Sequence, residues 1–175
     1  MTRYAALLGS INVGGNQLKM AELRAALADR GFANVATVIA SGNVLFDHAP
    51  ATDAELAARI ADVVKNDFGI ESLVVVRTAN ELRAAIDDNP FVGENEDRFV
   101  HTHFVPEPLD RPAFEAFVAA YDGPERVAVG DRAFFVDYRG GVGDSKLHQK
   151  MRPLGLRNTA RNVGSLQRIL DKMTG

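Results

Sequence analysis

The sequence predicts an α+β fold with antiparallel sheets, and three observations support this prediction. Short apolar runs of strand length alternate with segments whose apolar residues recur at helical spacing. These elements follow the order βαββαβ in the first half of the chain, and the order βαββ begins again after residue 97. The 175 residues are 46% apolar and 25% charged, which is typical of globular proteins with a buried core.

The chain begins with a predicted strand and helix. The strand covers Tyr4 to Leu8, a short apolar run that breaks off at a glycine-rich loop. From Met20 onward, apolar residues repeat at helical spacing until Gly31 ends the pattern. Two further strands, Val35 to Ala40 and Asn43 to His48, flank Ser41-Gly42, which predicts a tight two-residue hairpin turn.

A second helix and a fourth strand complete the first subdomain, predicted over residues 1–78. Thr52 and Glu55 form a capping box at the start of the helix, and Gly69 ends it. Ser72 to Thr78 is a β-branched run of the kind found in buried strands. The order βαββαβ is the ferredoxin-like arrangement, in which two helices cover one face of a four-stranded antiparallel sheet.

A helix and a polar connection are predicted over residues 79–97, and a second ferredoxin-like subdomain over 98–175. Thr78 and Glu81 form the capping box of that connecting helix. The second subdomain is predicted to contain a strand at 98–105, a helix carrying Phe114 and two strands joined by a turn at Gly130-Asp131. A stretch rich in basic residues and a final helix follow.

Composition and motifs exclude several classes of function. The chain has no cysteine, which excludes disulfides, thiolate zinc sites, iron–sulfur clusters and a cysteine nucleophile. No apolar run approaches the ~20 residues of a membrane span, and the N-terminus lacks the features of a signal peptide. We therefore expect a cytoplasmic protein with no membrane partner.

Charge is distributed unevenly along the chain, whose net charge is −3. Residues 139–175 carry eight Lys and Arg against two Asp, a net charge of +6, whereas the remainder carries 12 against 21 acidic residues. Such asymmetry is a hint of a phosphorylated or polyanionic partner, although an acidic body also pairs with a basic tail.

The loop after the first strand is one candidate binding site. Gly9 and Gly14 have P-loop spacing, but Gly15-Asn16 replace the Lys and Ser/Thr that a P-loop requires. The loop could still bind a ligand through side-chain amides, exposed backbone and one ammonium group. The alternative is that its glycines only allow the positive φ angles that the loop requires. Candidate residues in this region are Asn12, Gly14, Gly15, Asn16 and Lys19, together with Ser41 and Asn43 of the hairpin. For the hairpin residues, the alternative is a turn with no binding role.

The C-terminal segment is the second candidate. Asn158 or Thr159 is expected to cap the last helix, while Arg157 and Arg161 place positive charge beside its N-terminus, where the helix dipole disfavours cations. A bound anion would explain that placement, and an internal salt bridge is the alternative. The candidate ligand-binding residues here are Lys146, Arg157, Thr159, Arg161 and Asn162.

Catalytic and metal motifs are not recognised in the sequence. His101 and His103 project from one face of a strand, but two ligands without a third make a weak metal site, so no metal or other cofactor is expected. No Ser-His-Asp order, G-x-S-x-G elbow or H-E-x-x-H is present. The aromatic residues of the later strands also lack the glycine-aromatic signature of RNA-recognition sheets.

Five stretches in order, YAALLGSINVGGN, KMAELRAAL, GFANVATVIASGNVLF, GDSKL and NTARN, resemble the bacterial domain of unknown function 1697 family. The resemblance spans nearly the whole chain. It implies two ferredoxin-like subdomains, in agreement with the element order, and a cytoplasmic protein with no established activity.

Two departures from the family pattern are visible. Relatives usually carry Arg-Gly where this chain has Gly9-Ser10, so the loop has one cation fewer than in those relatives. Relatives also carry a Trp where this chain has Val163.

We therefore predict a protein that binds an anionic ligand, which is a nucleotide, a phosphorylated metabolite or a nucleic-acid segment. Two alternatives remain open: an enzyme whose catalytic groups are polar loop residues, and a protein-interaction module. Clustering of the asparagines and basic residues in one pocket would favour a binding protein or an enzyme, whereas an exposed apolar strip would favour the module.

Overall fold

The computed structural model describes residues 1–12, 15, 17–39 and 42–175. These residues divide into two compact units: Met1–Leu82 with Arg168–Gly175, and Arg83–Gln167. The predicted subdomain boundaries at 78 and 97 stay a prediction. Each unit is built on one four-stranded antiparallel sheet with helices, so the protein consists of two ferredoxin-like α+β subdomains.

The first sheet has the strand order β2-β3-β1-β4, with every neighbouring pair antiparallel. Its strands and helices are β1 (Thr2–Leu8), α1 (Met20–Ala28), β2 (Ala33–Thr37), β3 (Asn43–His48), α2 (Asp53–Phe68) and β4 (Val74–Thr78). Alternate residues of the central strands, including Tyr4, Ala6, Val44 and Phe46, pack against α1 and α2 in one apolar core.

The local signals that predicted α2 act as expected. The hydroxyl of Thr52 accepts a hydrogen bond from the backbone N–H of Glu55 at 3.1 Å, and the Glu55 carboxylate accepts one from the Thr52 N–H at 3.1 Å. These bonds satisfy donors that a helix start leaves free. Gly69 ends the helix in the left-handed region, with φ of 68°.

The predicted two-residue hairpin turn is wrong. Strand β2 ends at Thr37 instead of Ala40, so five residues, 38–42, connect it to β3. Ile39 adopts a φ of 61°, which a strand cannot accommodate. The pairing of β2 with β3 is also irregular between Ala33 and Ala36, so the two strands do not keep the regular register that the predicted hairpin assumes.

The second sheet has the strand order β6-β7-β5-β8, which is the order of the first sheet with each strand replaced by its counterpart. The elements that follow β4 are α3 (Ala79–Asp87), β5 (Val100–Phe104), α4 (Arg111–Ala120), β6 (Arg126–Val129), β7 (Ala133–Asp137), α5 (Leu147–Met151), β8 (Thr159–Asn162) and α6 (Val163–Thr174). Short 3-10 turns precede β5 and follow α5.

Two of these elements are absent from the sequence-based prediction. Helix α5 spans five residues and β8 spans four, both too short to show a hydrophobic period. The expected cap of the last helix is also corrected, because Asn158 precedes β8 and Thr159 belongs to it. Asn162 caps α6, since its side-chain oxygen accepts a hydrogen bond from the N–H of Ser165 at 2.8 Å.

No helix in the described part of the chain combines the length and apolar character needed to cross a membrane.

Candidate functional site

The two polar loops of the first subdomain meet at one end of its sheet. Leu7 pairs with Asn43, and the N–H of Leu8 donates to the carbonyl of Gly42 at 2.8 Å. The connection before β3 therefore lies beside the start of the loop that follows β1. Of the candidate residues in these loops, Gly14, Asn16 and Ser41 lie outside the described residues.

The described asparagines of these loops are engaged in their own backbone. Asn12, at a φ of 58°, accepts a hydrogen bond from the N–H of Leu18 at 2.7 Å. Asn43 is buried and donates to the carbonyl of Val38 at 3.2 Å. Both side chains therefore shape the loops, while Gly15 and Lys19 are exposed.

Arg161 and Thr159 lie on β8 of the second sheet. A guanidinium nitrogen of Arg161 donates to the Thr159 hydroxyl and to the Ala160 carbonyl, both at 2.8 Å. Burial lowers the pKa of Arg161 to about 10. Arg161 is opposite Thr102 in the register, so its side chain and that of the neighbouring His103 project from opposite faces of the sheet.

The remaining basic candidates are Lys146 and Arg157. They are the first and last residues of a stretch that we call the basic segment, residues 146–157. It carries four cations and no acidic residue. Its cations, all exposed, are Lys146, Lys150, Arg152 and Arg157, and within the described residues none of them forms an ion pair.

Many cations elsewhere do have carboxylate partners. Arg30 contacts Asp67 at 2.8 Å, and Arg126 contacts the buried Asp137 at 2.7 Å. Further pairs are Arg3–Asp47, Lys65–Glu71, Arg77–Asp53, Arg98–Glu96 and Arg111–Glu115. Carboxylates therefore neutralise many cations in the rest of the protein but not those of the basic segment.

An apolar pocket of about 220 Å³ borders the basic segment. It is lined by Leu109, Asp110 and Phe114 from the start of α4 and by Pro153, Leu154 and Leu156 from the segment itself. The Asp110 carboxylate accepts a hydrogen bond from the N–H of Ala113 at 3.2 Å, which caps α4.

A pocket of about 270 Å³ in the first subdomain has arginines that are already engaged. Arg30 is paired with Asp67, and Arg59 donates to the Arg30 carbonyl at 2.9 Å and stacks over Phe32.

A chain of polar side chains lies behind the basic segment, on the helix-covered face of the second sheet. His103 is 2% exposed, and its ring stacks on Phe134 with centroids 4.5 Å apart. Its Nδ1 lies 2.8 Å from Asn158 Oδ1, and its Nε2 lies 2.9 Å from the Tyr138 hydroxyl. That hydroxyl lies 3.1 Å from Nε2 of His148, whose ring is exposed within the basic segment.

The protons along this chain can be assigned from its chemistry. Burial lowers the pKa of His103 to about 3, so one ring nitrogen carries a proton at neutral pH. Asn158 donates its amide to the Leu156 carbonyl, which turns its oxygen toward His103, so the proton must lie on Nδ1.

The remaining bonds follow from that proton. Nε2 of His103 accepts from the hydroxyl of Tyr138, and the Tyr138 oxygen is left to accept from Nε2–H of His148. Burial raises the pKa of Tyr138, with the Glu125 carboxylate adding to the effect, so the phenol keeps its proton. All three bonds therefore run in one direction, from His148 to Asn158.

Glu125 supplies negative charge close to this chain. Its carboxylate is buried and accepts hydrogen bonds from the hydroxyls of Tyr121 and Ser145. Burial alone would raise the pKa of Glu125, but the bond from Ser145 and then the bond from Tyr121 outweigh it, and the net pKa is lowered. The charge of Glu125 acts on both Tyr138 and His148.

The sequence identified only part of this cluster. His103 was considered as a metal ligand, but the described residues contain no group of three or more His, Cys, Asp or Glu that could hold a metal ion. Tyr138, His148 and Asn158 follow no recognisable spacing. Ser145 belongs to the GDSKL stretch, whose structural role emerges only here: it bonds Glu125 and accepts the N–H of Leu147 at the start of α5.

Comparisons with known proteins agree with this architecture. A family model described as a protein of unknown function, DUF1697, matches residues 1–135. The conserved bacterial protein SP0830 from Streptococcus pneumoniae has a similar solved structure, with a TM-score of 0.76 and 23% sequence identity. That alignment covers 100% of this chain and 99% of the other, and it shows the shared fold alone. None of the curated proteins matches the chain.

Proposed function

The chain belongs to the DUF1697 family of proteins of unknown function, and we propose that it binds a small phosphate-bearing ligand at the basic segment. The observation that carries the proposal is the absence of any ion pair for the four cations of residues 146–157 within the described residues. Neighbouring like charges repel one another, and an anion at this surface would relieve that repulsion.

The size of the charged surface favours a small ligand over a nucleic acid. Proteins that grip a duplex commonly make about 6–10 phosphate contacts, whereas this segment offers four cations on a protein of net charge −3. The bordering pocket of about 220 Å³ would accommodate a compact apolar group attached to the phosphate. We therefore favour a phosphorylated metabolite or a mononucleotide as the ligand.

Thermal unfolding with inorganic phosphate and pyrophosphate tests this proposal. A ligand that binds only the folded state stabilises it by RT ln(1 + [L]/Kd), so both anions should raise the Tm, pyrophosphate more than phosphate. Added chloride should reduce the shift because surface charges are screened. The double variant Lys146→Ala/Lys150→Ala and the double variant Arg152→Ala/Arg157→Ala should each lose most of it.

The matched control is the double variant Arg168→Ala/Lys172→Ala. It removes two exposed cations of α6, which also form no ion pair within the described residues and lie outside the basic segment. The control should keep the anion-dependent shift of the unaltered protein. Equal loss in the control and the test variants would reject the site and leave only a general effect of net charge.

A further inference from the structure

The exposed end of the polar chain lies within the basic segment. His148 uses Nε2 for its bond to Tyr138, and within the described residues Nδ1 has no hydrogen-bond partner. Because the Tyr138 hydroxyl donates inward to His103, the proton of a neutral His148 is held on Nε2. The lone pair of Nδ1 is consequently held on the exposed side of the ring.

A histidine fixed in this way has the arrangement of an activated nucleophile. Its second nitrogen is oriented by a buried partner, and that partner is oriented in turn by His103 and Asn158. Lys150 follows it by two residues on the short α5, and Lys146 is the residue directly before that helix, so both exposed ammonium groups belong to the same segment as the ring. Such cations would offset the repulsion between a phosphoryl group and other negative charges.

We propose that Nδ1 of His148 accepts a phosphoryl group from a small phosphoryl donor, such as a phosphoramidate or an acyl phosphate. This inference rests on the proposed binding of phosphate-bearing ligands at the basic segment. It goes beyond binding, because it assigns a covalent step to one nitrogen atom.

The step balances without a further reactant. With phosphoramidate, the Nδ1 lone pair forms a bond to phosphorus while the P–N bond of the donor breaks, and ammonia leaves with that electron pair. Nε2 keeps its proton, so the phosphorylated ring carries a positive charge. The Tyr138 oxygen accepts the Nε2–H bond, and Glu125 lies near enough to act on the ring electrostatically, so both would stabilise that charge.

Incubation of the full chain with potassium phosphoramidate at neutral pH tests the proposal, with phosphorus NMR and intact mass as readouts. We expect one acid-labile phosphoryl group, on Nδ1 of His148, formed about tenfold or more faster than on a short histidine peptide. The variant His148→Gln should lose it. The control His48→Gln should keep it, because both ring nitrogens of His48 are engaged, with the Ala49 carbonyl and with Arg59.

The variant Tyr138→Phe tests whether Tyr138 positions the ring of His148 or only stabilises the fold. It removes the acceptor of the Nε2–H bond, so a folded variant should yield a mixture of the Nδ1 and Nε2 isomers. A structural role alone would not change the isomer ratio. A rate equal to that of the peptide, a product mainly on Nε2 in the unaltered protein, or a product on another histidine would each overturn the proposal.

The phosphate-dependent Tm shift is measured on the same preparation, so the two proposals fail separately. A Tm shift without phosphorylation at Nδ1 would reject the covalent step and leave phosphate binding standing. Phosphorylation at Nδ1 at the peptide's rate with no Tm shift would reject both.

Discussion

The two subdomains share one topology but differ in what their central strands bury. In the first sheet, Ala6 of β1 pairs with Val44 on the helix-covered face. In the second, His103 of the corresponding strand β5 pairs with Phe134 on the corresponding face. The first core is therefore apolar, whereas the second includes a chain of three hydrogen bonds that reaches the surface at His148.

This difference shows that the topology does not require a polar core. Burying a polar group costs free energy unless each donor and acceptor is paired, and one lost partner leaves an unsatisfied group behind. Asn158, Tyr138 and His148 have side chains that complete one another's hydrogen bonds around His103. The first core therefore relies on apolar packing, whereas the second also depends on a complete set of hydrogen bonds.

The largest expected effect tests the apolar core of the first subdomain. Phe46 is fully buried, stacks on Tyr4 and meets the edge of Phe32 with ring centroids 4.9 Å apart. The variant Phe46→Ala should lower the free energy of unfolding by about 3–5 kcal/mol, because it leaves a cavity in a close-packed core. Urea denaturation followed by circular dichroism measures this loss.

Phe46→Leu is the matched control for that substitution. It keeps most of the apolar volume and should cost about 1 kcal/mol. Equal costs for the two variants would mean that the ring packs loosely and that the first core depends on something other than apolar contact.

The next effect is a pH dependence of the free energy of unfolding, which arises from His103 in the core of the second subdomain. The pKa of His103 is about 3 in the folded protein against an ordinary 6.5, so the unfolded chain binds the additional proton. The resulting stabilisation is fully present above pH 6.5 and is lost as the pH falls toward 3. The free energy of unfolding should therefore fall by about 1.4 kcal/mol per pH unit from this one group below pH 6.

The variant His103→Gln removes that titration while retaining an amide that can form hydrogen bonds. Urea denaturation at several pH values between 7 and 5 should show a steeper fall for the unaltered protein than for the variant. Parallel curves would contradict the assignment of His103 as a buried neutral group.

The smallest effect compares the two buried tyrosines directly. Tyr138→Phe leaves Nε2 of His103 without a donor and should cost about 1–3 kcal/mol. Tyr4→Phe removes only a long 3.4 Å contact with Ala51 and should cost less than about 1 kcal/mol. Equal costs in thermal unfolding would show that the polar chain of the second core is not a stabilising network.

Local signals in the sequence determined most of the fold. The capping boxes at Thr52 and Thr78 and the helix end at Gly69 act within a few residues, so they could be predicted without knowledge of the rest of the chain. The same holds for the four-stranded antiparallel sheet of the first subdomain, because the element order βαββαβ with short connections admits few arrangements. The hairpin was predicted wrongly, since the irregular pairing of β2 depends on its neighbour β3.

The candidate site was decided by tertiary structure. The unbalanced charge of the C-terminal region was visible in the sequence, as were Lys146 and Arg157, but which cations have partners depends on where distant carboxylates lie. His103, Tyr138 and His148 lie 35 and 10 residues apart, and no local interaction relates them. They meet because the antiparallel register of β5 and β7 and the placement of α5 bring one face of each together, and such long-range packing leaves no periodic trace in the sequence.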